Sequence, residues 1–256
     1  DRPQVAMDAN GNAIAVWMNF DSIARRNNLF TNSYSAGAWG TAELLKPSDT
    51  NDAFNPTITF DRVGNAIAAW QQFGSAGNSI WTRFYSADNG WREDTVKAPG
   101  SSGAVAMNPH VTLDATGNGS NFATVVWQQK FSSNDRFDTG VFANRFDVSA
   151  NQWGTTTQVV TASPGDAIDL RVASDKQGGA IAVWSQLDGT RRDVLTSRYN
   201  ATGTWGAPQL LETDNTGNAS TPHIATNSLG NAIAVWSQKV GALTRIWANT
   251  FITDKL

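Results

Sequence analysis

The stretch Pro3-Gln-Val-Ala-Met-Asp-Ala-Asn-Gly-Asn-Ala-Ile-Ala-Val-Trp17 decides the fold, because it returns along the chain. Close copies occupy residues 56–70 and 222–236, and degenerate copies occupy residues 109–127 and 170–184. The tryptophan that ends each copy recurs after 53, 57, 57 and 52 residues. A period of this length predicts one four-stranded propeller blade per repeat, and it is too long for a leucine-rich repeat.

Each repeat divides into four predicted strands, A to D. Residues 3–8 alternate in polarity, and residues 13–17 alternate small and large side chains, which predicts strands A and B. Between these strands, an Asp or Asn precedes a Gly by three positions in every repeat, which is typical of a hairpin with a left-handed Gly. The predicted C strands are 29–34, 80–85, 141–146, 194–199 and 246–251, and the D strands open at Trp39, Trp91, Trp153 and Trp205.

The five repeats predict an all-β, five-bladed β-propeller built from four-stranded repeats of about 52 residues. We expect one domain over residues 1–256, with blades at about 3–55, 56–108, 109–169, 170–221 and 222–256. The last repeat stops after strand C, so its blade is expected to lack the outer strand. Nine of the eleven tryptophans occupy repeated positions, which favours packing between blades.

Composition excludes several classes of protein. The 256 residues include no Cys, and 19 Lys and Arg stand against 22 Asp and Glu, which excludes a disulfide scaffold, a zinc–thiolate site and a basic nucleic-acid binder. The apolar runs are far too short to span a bilayer. Only 16% of the residues are charged, and Asn, Thr and Ser are plentiful, so we expect a secreted bacterial protein, extracellular or periplasmic, without a cofactor.

One group of candidate site residues follows strand B. Two positions after each tryptophan stands an amide side chain, which offers both donors and acceptors for sugar hydroxyls. The same regularity suits a structural role, in which the amides bond the backbone of the adjoining loop. These residues are Asn19, Gln72, Gln129, Gln186 and Gln238.

A second group of candidates lies at the second position of strand A. Three successive repeats place His110, Arg171 and His223 there, near the expected mouth of the central channel. Together they suit a bound anion such as a carboxylate or sulfate. The alternative is that strand A side chains point sideways into neighbouring blades. An Arg between two His opposes a bound cation, so we expect no metal.

Enzymatic chemistry has little support in the residue pattern. A glycosidase needs two or three carboxylates around the channel, but the residue before strand A is a carboxylate in one repeat alone, at Asp169. A lyase acting on a uronic acid needs a base and a group that neutralises the carboxylate. His110 or His223, together with Arg171, is the one arrangement that meets this requirement.

The stretch Gly-Asn-Ala-Ile-Ala-Val-Trp, at 11–17 and again at 230–236, resembles repeats of uncharacterised secreted and lipoprotein-type bacterial β-propellers. The resemblance covers the whole chain and implies a propeller, with little about function. The five-bladed architecture is similar to that of tachylectin-type propeller lectins, in which each repeat binds one sugar.

The preferred interpretation from the sequence is therefore a non-enzymatic, lectin-like module that binds glycans at the end of the propeller carrying the B–C loops. A second interpretation is a protein-interaction or assembly unit, possible self-association included, which uses the open strand edge at 245–252. The third is a uronate lyase. No nucleic acid and no membrane span are expected.

Overall fold

The computed structural model describes residues 1–46, 51–75, 77–101, 105–115, 121–130, 139–160, 165–175, 178–200, 202–214, 216–227 and 229–252. These residues form β-strands and loops, arranged in five successive antiparallel sheets. Across this part of the chain, no helix is long and apolar enough to cross a membrane. The all-β propeller predicted from the repeats is confirmed.

The strands of the five sheets follow one another in chain order. The first sheet holds β1 (Gln4–Met7), β2 (Ala13–Asp21), β3 (Arg26–Ser35), β4 (Ala38–Trp39) and β5 (Glu43–Leu44). The second holds β6 (Ala53–Phe60), β7 (Ala66–Gln72), β8 (Ser79–Ser86), β9 (Gly90–Trp91) and β10 (Val96–Lys97). The third holds β11 (Ala106–Ala115), β12 (Asn121–Lys130), β13 (Thr139–Asp147), β14 (Gln152–Trp153) and β15 (Thr157–Gln158). The fourth holds β16 (Ala167–Ser174), β17 (Ala180–Asp188), β18 (Arg191–Tyr199) and β19 (Gln209–Leu210), and the fifth holds β20 (Ala219–Thr226), β21 (Ala232–Val240) and β22 (Leu243–Phe251).

The hairpin between strands A and B has the predicted chemistry. In the first sheet, Oδ1 of Asp8 accepts the backbone N–H groups of Asn10 and Asn12, both at 2.8 Å. Gly11 then takes a left-handed φ of 84°, which costs Gly little because it has no Cβ. The same arrangement recurs at Asp61 and Asn227. The corresponding Gly117 of the third repeat lies outside the described residues.

Tryptophans within the B strands pack between successive sheets. The prediction that strand B ends at this Trp is wrong, because β2, β7, β12, β17 and β21 continue two to four residues past it. Trp70, Trp127 and Trp184 are completely buried, and Trp236 is nearly so. Each packs in a cluster that contains residues of the preceding sheet, as Trp70 does with Leu29. Trp17 has no preceding sheet and is half-buried. Because a buried aromatic side chain removes roughly 150–250 Å² from water, these indoles dominate the packing between sheets.

The amides that follow these tryptophans serve the packing. The side-chain oxygen Oε1 of Gln72 accepts a hydrogen bond from the indole N–H of Trp70 at 3.0 Å. Oε1 of Gln129 does the same for Trp127 at 2.8 Å. Gln186 and Gln238 repeat the bond in the fourth and fifth sheets, and all four glutamines are buried. The interpretation of these glutamines as ligand contacts is corrected here, because their carbonyl oxygens are occupied inside the sheets. Asn19 is exposed.

The seam between the first and fifth sheets is open to solvent. From β6 onwards, every innermost strand packs on the preceding sheet. One apolar repeat position is buried there at Ile58, Val111 and Val172 and half-buried at Ile224. The equivalent residue of β1, Val5, is 65% exposed. On the other side of the seam, Ile246 of β22 is 76% exposed, whereas its equivalents in the other four sheets are completely buried. The apolar surfaces of the first and fifth sheets that correspond to the packed interfaces elsewhere are therefore exposed at this seam.

We expect Gln72→Ala to lower the free energy of unfolding by about 1–3 kcal/mol, because the buried indole N–H of Trp70 would lose its acceptor. Urea unfolding followed by tryptophan fluorescence measures the effect. Asn19→Ala is the control, since the exposed amide at the same repeat position should change stability by less than about 0.5 kcal/mol. Equal effects of the two substitutions would contradict the structural role of the glutamine.

Candidate functional site

A concave site lies where the innermost strands of all five sheets converge. It is a cavity of about 610 Å³ at the starts of these strands. Its lining comprises Arg2, Gln4, Asn55, Pro56, Thr57, Asn108, Pro109, His110, Asp169, Leu170, Arg171 and His223. The structure thus brings His110, Arg171 and His223 together in one lining, and their binding of an anion stays a prediction.

A repeated backbone irregularity shapes this cavity. In each sheet, the residue before the first repeat position has a left-handed φ between 49° and 55°, although none is Gly. In the second to fifth sheets, the register of strands A and B shifts at the same place, as a β-bulge does. The five residues are Arg2, Asn55, Asn108, Asp169 and Thr221. Such conformations cost about 1–3 kcal/mol each and persist where surrounding structure holds them.

Hydrogen bonds join these bulge residues from sheet to sheet. The guanidinium of Arg2 donates to the side-chain oxygen of Asn55, and the amide of Asn55 donates to the side-chain oxygen of Asn108 at 2.6 Å. On the other side of the cavity, the backbone N–H of Thr221 donates to Oδ2 of Asp169 at 3.1 Å. The rim is thereby tied across adjacent sheets. Asn and Asp at this repeat position tolerate the left-handed region, and that preference is a sequence signal for the bulge.

His110 is held in the neutral form. Its burial first, and then the charges of Arg171 and His223, lower the pKa of His110 to about 3. Nδ1 accepts the backbone N–H of Val172 at 3.3 Å, so the single ring proton resides on Nε2. A ring of this kind can donate one hydrogen bond into the cavity. It has no free lone pair with which to take up a proton.

The charged groups of the cavity favour an anion. Two guanidinium groups, those of Arg2 and Arg171, stand against the single carboxylate of Asp169. Arg171 is half-buried and uses Nη1 to donate to the carbonyl of Leu170 at 2.9 Å, which fixes part of its fork. The ring of His223 is exposed at the cavity. Among the described residues, no group of three or more His, Asp or Glu is placed to hold a metal ion.

A second unusual carboxyl group lies outside the cavity, between the fourth and fifth sheets. Glu212 is almost completely buried, and its Oε1 accepts the backbone N–H of Val194 at 3.0 Å. Burial, reinforced by the neighbouring charge of Asp193, raises the pKa of Glu212 from 4.5 to about 7. Asp193 itself pairs with Arg191 at 2.8 Å. The repeat pattern does not single out this group, because Glu212 belongs to a connection between repeats and not to a repeated position.

Comparisons with known proteins match this chain by its fold and not by its sequence. No protein-family model and no curated protein matches the sequence. Among solved structures, a protein of unknown function from Dyadobacter fermentans is 12% identical, with a TM-score of 0.63, over 99% of this chain and 82% of that one. The α-L-arabinofuranosidase Arb93A from Fusarium graminearum is 13% identical, with a TM-score of 0.57, over 98% and 76%. The polysaccharide lyase Uly1 is 9% identical, with a TM-score of 0.57, over 97% and 57%.

These similarities establish a β-propeller fold, since identities of this size carry the fold alone. They also contradict the prediction of a non-enzymatic, lectin-like binder. The structural neighbours are mainly enzymes that act on carbohydrates, arabinofuranosidase and polysaccharide lyase among them. The expected relation to secreted bacterial repeat proteins has no match in the sequence comparisons.

The raised pKa of Glu212 predicts a stability that depends on pH. Because the folded state holds this proton more tightly than the unfolded chain, stability is highest below about pH 4.5 for this group and is lost as the pH rises through about 7. Glu212→Gln should remove that loss and raise the melting temperature at pH 8 by about 2–4 °C. Differential scanning calorimetry from pH 5 to pH 8 measures it.

The control for this experiment is Glu43→Gln, which removes an exposed carboxylate. It should leave the pH dependence of the melting temperature unchanged. A Glu212→Gln variant whose melting temperature falls with pH as steeply as that of the wild type would show that another group is responsible.

Proposed function

We propose that the central cavity is the active site of a carbohydrate-active enzyme that cleaves an acidic polysaccharide by elimination. The observation that carries the proposal is the cavity itself, in which Arg171 meets a half-buried histidine, His110, and an exposed one, His223. The fold that this chain shares with a polysaccharide lyase and with arabinofuranosidases supports an activity on carbohydrate. We include the extracellular or periplasmic location in the proposal, because such polymers lie outside the cytoplasm.

Arg171 would bind the carboxylate of a uronic acid unit. A guanidinium offers a planar fork that matches a carboxylate, and neutralising that charge makes the neighbouring C–H more acidic. Arg2 adds a second positive charge to the same cavity, while Asp169 is the one carboxylate in the lining. The net positive charge of the lining therefore favours a uronate over a neutral sugar.

The two histidines would divide the work between them. His110 is neutral with its proton on Nε2, so it donates a hydrogen bond to the substrate carboxylate as negative charge develops there. His223 has an exposed ring at the cavity and is the candidate base. It would take the proton next to the carboxylate. The electron pair left behind forms the new C=C bond, the glycosidic C–O bond breaks, and the departing oxygen takes a proton from solvent.

Hydrolysis by a pair of carboxylates fits this cavity less well. Such enzymes place one carboxyl group as the acid and another as the base or nucleophile, on either side of the scissile bond. The cavity lining contains Asp169 alone, and its Oδ2 already accepts the backbone N–H of Thr221. Among the described residues, Asp8 and Asp61 hold hairpin turns at the far ends of the innermost strands.

The elimination mechanism predicts an unsaturated uronate product. Wild-type protein should raise the ultraviolet absorbance of polygalacturonate, alginate or hyaluronan, and His223→Ala should lower the turnover by about 10²–10⁴-fold. Arg171→Ala should abolish turnover at low substrate concentration, and Glu43→Gln, at an exposed position outside the cavity lining, should leave it unchanged. Release of reducing ends from neutral arabinan without an unsaturated product would overturn the proposal in favour of hydrolysis.

The separate role of His110 is tested by a pair of substitutions. His110→Gln keeps a neutral donor, so turnover should stay within about tenfold of the wild type. His110→Leu removes the donor, and turnover should fall by about 10²-fold. Because the pKa of His110 lies near 3, neither change should alter the pH profile between pH 5 and 8. A changed profile in the Gln variant would identify His110 as the base instead.

A further inference from the structure

The outer edge of the fifth sheet differs from that of the other four. In sheets one to four, the third strand pairs on its outer side with short strands that follow it in the chain. Within residues 216–227 and 229–252, which hold the fifth sheet, β22 has β21 on one side and no strand on the other. This unpaired edge of β22 is a ready template for a further strand.

In sheets one to four, two backbone hydrogen bonds join the third strand to the outer strand. The carbonyl at the position of Ile246 accepts an N–H from the outer strand in each of sheets one to four, at 2.8 or 2.9 Å. The carbonyl at the position of Thr250 accepts a second one, at 2.7 or 2.9 Å. The four donors to the first carbonyl are Leu45, Ala98, Val159 and Leu211, and those to the second are Gly40, Arg92, Gly154 and Gly206. This shared register shows where a strand would pair with β22.

The side chains of the outer strands also follow a repeated pattern in sheets one to four. In sheets one to four, an aromatic residue of the third strand lies 5.1–5.6 Å from a Trp that opens the outer strand. Six or seven residues after that Trp stands an apolar residue, which is buried in the first three sheets, at Leu45, Ala98 and Val159, and half-buried at Leu211 in the fourth. In the fifth sheet, Phe251 occupies the position of the aromatic residue that contacts the Trp, and it is 44% exposed. Ile246 occupies the position that pairs with the apolar residue.

We propose that the outer edge of β22 binds one extended peptide segment from outside residues 1–252, with a Trp placed against Phe251 and an aliphatic residue six or seven positions later against Ile246. The segment adds as an antiparallel strand and donates backbone N–H groups to the carbonyls of Thr250 and Ile246. Its pattern is that of the chain's own outer strands, as in Trp39-Gly-Thr-Ala-Glu-Leu-Leu45. This interaction is independent of the catalytic proposal, because β22 contributes no residue to the cavity.

The probe for this edge is a fluorescein-labelled peptide with the sequence of residues 37–46. We expect saturable binding at one site per chain, measured by fluorescence anisotropy. The same peptide carrying Trp39→Ala and Leu45→Asp should lose at least about tenfold in affinity. Absence of binding by the unmodified peptide at millimolar concentration would overturn the proposal.

The probe peptide could also displace residues 37–46 from the first sheet. A substitution on β22 distinguishes binding at the outer edge of β22 from that displacement. Ala248 lies between Ile246 and Thr250, so its N–H faces the outer edge while its side chain is exposed. Ala248→Pro removes that donor and leaves the pairing with β21 intact, and the affinity should fall at least about tenfold. Ala248→Ser keeps the donor and should bind as the wild type does.

Circular dichroism establishes that the Pro variant remains folded. Binding that Ala248→Pro does not weaken would place the peptide elsewhere and overturn the proposal. Sedimentation that shows a dimer of the chain, dissociated by Ala248→Pro, would make a second copy the occupant and would overturn it as well.

Discussion

The contact between a buried indole and the sheet before it is the constraint on which the rest of the structure depends. Each sheet is only a few strands wide and cannot bury both of its faces alone. In the second to fifth sheets, the Trp of strand B fills the space between two sheets, and its N–H must find an acceptor there. The Gln two residues further on supplies it, as Gln72 does for Trp70. Shape and hydrogen bonding are thus satisfied by one repeated pair.

Much of this arrangement was predictable because it is local and repeated. The Asp–Gly hairpins and the Trp positions follow from short-range chemistry, and the structure confirms them. The role of the glutamines was within reach as well, since residues two apart lie on the same side of a strand. The sequence supported both interpretations, and only the distance from Gln129 to Trp127 decided between them.

Other features depend on contacts between distant repeats and could not be deduced in this way. The bulges were signalled weakly by Asn55, Asn108 and Asp169, but their union around one cavity required all five sheets in place. The meeting of His110, Arg171 and His223 was anticipated, whereas the neutral state of His110 depends on burial and on one backbone N–H. The open seam beside Val5 is likewise a tertiary property, because the same residue type is buried elsewhere in the repeat.

The bulges have a consequence for how such a cavity can diverge. Each sheet contributes its cavity residues from a short irregular segment of its innermost strand, while the tryptophans that pack between sheets lie on the second strand. A substitution at Thr57 or Gln4 would therefore alter the chemistry of one sector and leave the wedge of indoles untouched. Ligand specificity can therefore change by substitutions in one sheet at a time, while the packing that stabilises the fold is unchanged.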